Sequence, residues 1–192
     1  MQNNYIIKNL FNEDQVSYIK NNISSISDDN YVVESSLGRK LTGLFFDSSI
    51  NNFVLNIAKE ISGLDLVVSD FGYSTYSSKY GTPNLTPHID ANATDLVIDY
   101  QVDGNIEWPI YVEGNEFILK NNDAVFFYGT SQAHWRSIKK FNENDFISVI
   151  FFHFVKKDSW SLLGQTNPLQ DELYDLKIKT QEKWKKQYME GI

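Results

Sequence analysis

The chain has 192 residues, a formal net charge of −8 and 15% aromatic residues. That length can bury one sizeable core, and the aromatic content favours a folded, strand-rich protein over a disordered one. The acidic balance, with no basic patch, argues against a nucleic-acid partner, and the absence of cysteine excludes disulfides, thiol nucleophiles and zinc–thiolate sites.

The N-terminus, "MQNNYIIKNLF", lacks the charged and apolar regions of a signal peptide. No apolar run approaches the roughly 18 residues of a membrane span. These features together lead us to expect a cytoplasmic protein with no membrane partner. Residues 12–24 are predicted to be helical, with Asn12 as cap, acids in the first turn, and Val16, Ile19 and Ile23 on one face. A second helix is predicted over 49–62, with Phe53, Ile57 and Ile61 on one face and Gly63 as its stop. From about residue 65 the pattern turns strand-like: "LDLVVSDFGYSTYS", "DLVIDYQV" (95–102), "PIYVEG" (109–114), "EFILK" (116–120), "AVFFYG" (124–129) and "FISVIFFHFV" (146–155). Asp103-Gly104 and Gly114-Asn115 are hairpin-type signals, and Asn121-Asn122-Asp123 suits a turn. A charged helix is predicted over 168–190, with Leu173, Leu176 and Trp184 as anchors. Short strands this closely spaced indicate a β sandwich or jelly roll, with helices covering the outside. One domain spanning 1–192 is expected, with helices over 1–64, a β core over 65–155 and the terminal helix.

Histidine is scarce, and only His88, His134 and His153 occur. In "TPHIDANATD", His88 and Asp90 stand two apart, so on a strand both side chains project to one face. Taken alone, the tripeptide reads equally as a polar strand end. A third donor must come from elsewhere. His153 lies inside an apolar strand, where a packed, hydrogen-bonded histidine is commoner than a ligand. His134, in "FFYGTSQAHWRS", stands at the entrance to a strand and is the better candidate. Two histidines and one carboxylate with open positions form the facial triad of non-haem Fe(II) oxygenases. Zinc is the chemical competitor for such a set.

The order His88-x-Asp90…His134 across short strands resembles the Fe(II)/2-oxoglutarate-dependent dioxygenases, in particular their prolyl-4-hydroxylase-like branch. "KYGTPNLTPHID", "LKNNDAVFFYGTSQAHWR" and the final Phe-rich strand are each similar to segments of that branch. The resemblance implies a double-stranded β-helix (jelly-roll) with Fe(II) held by His88, Asp90 and His134. It also implies 2-oxoglutarate and O2 as co-substrates, ascorbate as a possible reductant, and hydroxylation of a peptidyl or small-molecule substrate with release of succinate and CO2. In this family a basic residue shortly after the distal histidine grips the far carboxylate of 2-oxoglutarate. Here that stretch reads "NENDFIS". Arg136 is the natural substitute, since it shares a strand face with His134, and Lys139 and Lys140 are further options. Tyr80, Tyr100 and Ser148 match other positions that touch the co-substrate in the family. The only other arginine, Arg39, falls in "SSLGRKLTG", which reads as a loop ahead of the barrel, solvated in preference to touching substrate. Two rival readings use the same residues. One is a cupin-type metalloenzyme that does not take 2-oxoglutarate, and the other is a non-catalytic β sandwich.

Overall fold

The computed structural model describes residues 4–90, 94–159, 162 and 170–189. Helix α1 (Glu13–Ser24) begins with a full capping box: Gln15 N donates to Asn12 Oδ1 (2.9 Å) and Asn12 N to Gln15 Oε1 (3.0 Å). Helix α2 (Ser48–Ser62) is capped by Asp47, which accepts from the amides of Ser49 and Ile50. It stops at Gly63, whose φ of 66° is the left-handed C-cap conformation. Its buried stripe is Ile50, Val54 and Ala58. The predicted Phe53, Ile57 and Ile61 flank that stripe, half-buried.

Among the described residues, eleven strands follow the order β1 (Ile6–Ile7), β2 (Val32–Glu34), β3 (Arg39–Gly43), β4 (Leu66–Ser77), β5 (Leu85–His88), β6 (Leu96–Gly104), β7 (Ile110–Val112), β8 (Asn115–Phe117), β9 (Ala124–Phe127), β10 (His134–Arg136) and β11 (Phe146–Lys156). They form a seven-stranded sheet, β1-β9-β6-β11-β4-β3-β2, and a four-stranded sheet, β5-β10-β7-β8. Both are antiparallel throughout. This is the double-stranded β-helix expected from the sequence.

Strand alternation divides the large sheet into two faces. Ile98, Tyr100 and Val102 of β6, with Ile150, Phe152 and Phe154 of β11, face α1 and α2 and form the main core with Ile19, Val54 and Phe11. The opposite face looks into the barrel. There Val97, Val125 and Phe127 meet Ile110 and Val112 of the small sheet. Helix α3 (Gln170–Met189) covers the outside of the small sheet. Its Trp184 packs on Trp135 (ring centroids 5.0 Å apart), and Tyr188 Oη donates to Asn84 Oδ1 (3.0 Å). Of the predicted anchors, Trp184 acts as one and Leu176 is exposed. The Leu173 side chain lies outside the described residues.

Three local readings change. Asp103-Gly104 makes no hairpin, because β6 leads from the large sheet to a strand of the small one. The β7–β8 hairpin turns on Glu113-Gly114, with φ of 47° and 80°, one residue before the predicted pair. At Gly114 a Cβ would also stand 2.7 Å from the Trp184 ring, so glycine there lets α3 dock. Finally, Arg39 lies on β3, paired with Tyr76 of β4, and not in a loop.

Candidate metal centre

His88 ends β5 and His134 opens β10, and the two strands are paired so that these residues face each other. Asp90 follows β5, and its amide donates to the carbonyl of Gly129 (2.8 Å), which fixes the chain where it leaves the strand. The Ala91-Asn92-Ala93 segment, read from sequence as an opening loop, lies outside the described residues.

Asp90 Oδ1 stands 3.6 Å from His88 Nε2 and 3.4 Å from His134 Nε2. All three donor atoms lie within 4.8 Å of one another. Metal–nitrogen and metal–oxygen bonds of about 2.0–2.2 Å require donors roughly 3–4 Å apart, so the spacing suits a single ion. Each ring's other nitrogen faces a backbone carbonyl: His88 Nδ1 is 2.8 Å from Thr86 O, and His134 Nδ1 is 3.2 Å from Gln132 O. A proton on Nδ1 satisfies those carbonyls and leaves the Nε2 lone pairs directed at the shared point, the usual way a protein orients ligating imidazoles. Phe127 packs on the His134 ring, with centroids 4.3 Å apart.

The carboxylate carries a second sign of an absent partner. Asp90 Oδ2 is buried and makes no hydrogen bond among the described residues. A buried, unpaired carboxylate oxygen is costly unless something positive reaches it. Gly129 makes the room. A Cβ at that position would collide with Asp90 Oδ2 and stand 2.9 Å from the Thr94 carbonyl. The sequence offered no signal for Gly129 beyond its being a glycine. Gly129→Ala is therefore expected to lower metal affinity by about 10–100-fold, in the range of lost supporting contacts, with the fold intact by circular dichroism. Unchanged affinity for Co(II) would count against this role.

Burial tends to push the Asp90 carboxyl up, but the His134 and His88 rings outweigh it and hold the pKa at about 2. For His134, burial opposes the charged ring, and the Asp90 charge and hydrogen bond override it, leaving its pKa above the ordinary value. Asp90 is thus a ready anion at any moderate pH, and the proton to be displaced by a metal sits on His134. Because that pKa is raised, proton competition begins at a higher pH than for a free imidazole, near 6.5. Metal affinity should fall as pH drops through that region, by up to about tenfold per pH unit for each proton released. Titrations at several pH values check this, and a flat profile down to pH 5 would contradict it.

A cavity of about 150 Å³ opens beside the triad, lined by Arg39, Leu85, His88, Asp90, Val97, Asp99, Phe127, His134, Phe151 and His153. That is small beside the roughly 300–1,000 Å³ of a drug-sized ligand site. His153 is not near enough to join the metal cluster. Its Nδ1 pairs with Asp70 Oδ2 (3.1 Å), a contact that lowers the Asp70 pKa.

The residues expected around the co-substrate are placed variously. Arg136 points inward, as its spacing from His134 predicts, but lies beneath the cavity floor. Its Nη1 donates to Trp108 O (2.7 Å), Nη2 lies 3.4 Å from Asp99 Oδ2, and its guanidinium stacks over the Trp108 ring. Tyr100 and Ser148 are on the helix-facing side of the large sheet. Tyr100 bonds Asn122 Oδ1 (3.3 Å) within the Phe11–Phe152 cluster, and Ser148 Oγ bonds Thr75 Oγ1 (3.0 Å). Tyr80 is half-buried in a short 3₁₀ turn, with Lys40 Nζ 6.0 Å from its ring. Lys139 Nζ donates to Glu107 O (2.5 Å), and Lys140 is exposed. None of these six lines the cavity. Arg39 does.

The chain is thus a double-stranded β-helix with a His-x-Asp…His cluster, suited to a metal ion, where β5 meets β10. No protein-family model and no curated protein sequence matches this chain. Solved structures do share its fold. The carbocyclase SnoK from nogalamycin biosynthesis, a non-heme alpha ketoglutarate dependent enzyme, superposes with a TM-score of 0.68 at 12% identity over 87% of each chain. The epimerase SnoN, solved in complex with Fe3+, alpha ketoglutarate and nogalamycin RO, gives 0.63 at 10% identity over 80% of this chain and 78% of its own. HygX from Streptomyces hygroscopicus, with nickel and 2-oxoglutarate bound, gives 0.56 at 8% identity over 81% and 83%.

Proposed function

We propose that this protein is a non-haem Fe(II)- and 2-oxoglutarate-dependent oxygenase, acting as a single domain. The observation that carries the reading is the triad. Two imidazoles have their Nδ1 atoms tied to backbone carbonyls, and their Nε2 atoms converge with a buried carboxylate that has an open oxygen. His88, Asp90 and His134 would hold the ion, and the fold neighbours named for iron, nickel and 2-oxoglutarate support that choice over a structural role. When bound, Fe(II) with 2-oxoglutarate and O2 supplies the oxidising power for attack on an unactivated C–H bond, with succinate and CO2 as by-products; ascorbate would serve as reductant.

The chain's own residues do the rest. Asp90 supplies the charge that neutralises the cation. The backbone carbonyls fix both imidazole tautomers. Leu85, Val97, Phe127 and Phe151 keep the cavity apolar and limit water beside the ion. The outcome of the oxidation is taken to be hydroxylation. The substrate is taken to be a small molecule over the peptidyl side chain that the prolyl-hydroxylase-like resemblance implied. SnoN is solved with a small molecule, and a cavity of about 150 Å³ leaves the substrate to approach at the mouth. Among the described residues no helix is long and apolar enough to cross a membrane, and the cytoplasm, proposed from the cysteine-free sequence, is the compartment this reading takes.

The test is direct. Anaerobic Fe(II) followed by 2-oxoglutarate should produce a weak visible charge-transfer band at one equivalent of each. Stoichiometric metal with no band and no 2-oxoglutarate affinity would favour a cupin-type metalloenzyme. No metal at all would leave a binding sandwich.

A further inference from the structure

The cavity needs a cation at its far wall if it is to hold a dicarboxylic acid, and the stretch after His134 provides none. Arg136 is engaged with Trp108 O and Asp99, and Lys139 and Lys140 point elsewhere. Among the described residues, Arg39 is the only lysine or arginine lining the cavity. It comes from β3, a strand added to the edge of β4, yet its side chain is only 15% exposed. Glu34 Oε2 accepts from its Nε (2.6 Å) and Tyr76 Oη from its Nη1 (3.0 Å). The guanidinium carbon lies 5.7 Å from the Tyr76 ring centre and 6.0 Å from that of Phe151. Phe151 is itself a cavity wall, and its ring lies over Gly72, where a Cβ would meet it at 3.0 Å. The guanidinium is therefore held in one orientation at the cavity wall. Its second Nη makes no hydrogen bond among the described residues.

The geometry points to Arg39, held by the Tyr76 hydroxyl, as the anchor for the far carboxylate of the 2-oxo diacid, a role moved from the strand after the distal histidine to β3, between β4 and β2. This rests on the oxygenase reading above. A planar, pre-oriented guanidinium suits a carboxylate far better than a mobile ammonium. Glu34 sets the orientation of the fork and leaves its outer edge for the ligand, so it is a positioning residue.

The experiment measures binding, not turnover. Wild type, Arg39→Gln and Arg39→Lys are loaded with Co(II) and titrated calorimetrically with 2-oxoglutarate and with 2-oxobutyrate, which keeps the chelating oxo acid and lacks the far carboxylate. Arg39→Gln should weaken 2-oxoglutarate by about 10–100-fold, the scale of a lost charge-assisted pair. Co(II) and 2-oxobutyrate affinities should stay within about twofold of wild type, and Arg39→Lys should recover part of the loss. The preference of wild type for 2-oxoglutarate over 2-oxobutyrate should vanish in Arg39→Gln. If wild type binds 2-oxoglutarate and Arg39→Gln binds it equally well, or if both acids weaken alike in Arg39→Lys, Arg39 is not the anchor and the oxygenase reading stands. If metal-loaded wild type binds neither acid, the oxygenase reading fails and this one falls with it.

Discussion

His134→Ala is expected to reduce divalent-metal affinity by at least about 100-fold and to abolish the visible band with 2-oxoglutarate, while leaving the far-ultraviolet spectrum unchanged. His134 is the donor most enclosed by protein, with 4% of its surface exposed, against a partly open His88. Removing its ring also removes the largest influence that lowers the Asp90 pKa to about 2 against the upward push of burial. The two remaining donors, His88 Nε2 and Asp90 Oδ1, both come from the end of β5 and leave the neighbouring strand β10 without a donor. A supporting contact around a metal is worth about 10–100-fold, and a ligand is worth more. Elemental analysis of the purified variant and a Co(II) titration read the effect. Near wild-type metal content would remove His134 from the ligand set and with it the facial triad. The substitution should cost little stability in the absence of metal. It relieves a close cluster of polar groups but leaves Phe127 with a gap on one side.

The cluster of His88, Asp90 and His134 could be read from sequence because the rule involved is local. Residues two apart at a strand end project together, and the run of short strands between Asp90 and His134 brings β10 alongside β5. The pairing of His134 with His88 is the structural form of that argument. The co-substrate wall could not be read in the same way. Tyr100 and Ser148 occupy plausible positions along their strands, but their side of the sheet depends on register. A shift of one residue exchanges the faces. The pairing of β11 shifts register against β6 between Ser148 and Val149 and against β4 between His153 and Phe154. Apolar residues on both faces hid the alternation, since one face meets the helices and the other the barrel interior. Arg39 was concealed differently. "GRKLTG" has no alternation, and β3 is set by its pairing with β2 and β4 on either side. Gly129 matters through a collision that no glycine announces in sequence.

A second expected result concerns the buried pair beneath the cavity. Asp99→Ala should destabilise the protein by about 3–5 kcal/mol, the typical cost of stranding one partner of a buried ion pair. For a chain of this size that corresponds to a drop in Tm of about 6–20 °C. The Arg136 and Asp99 side chains are 1% and 5% exposed. Burial pushes the Asp99 carboxyl up even with Arg136 beside it, so the floor of the barrel already holds its charge at a cost. Asp99 Oδ1 has no hydrogen-bond partner among the described residues. Without the carboxyl, the guanidinium keeps only the Trp108 carbonyl and the Trp108 ring. Asp99→Asn retains an oxygen acceptor and should cost less than Asp99→Ala. Replacing both members together, as Asp99→Leu with Arg136→Met, removes the stranded charge and should recover most of the loss. Urea unfolding of the four proteins decides the matter. If Asp99→Ala lies within about 1 kcal/mol of wild type, solvent reaches the guanidinium and the floor is not closed. The same series separates support from chemistry. Asp99 lines the cavity while Arg136 stands behind it, so the double variant should regain stability without regaining the shape of the wall against which the co-substrate would rest.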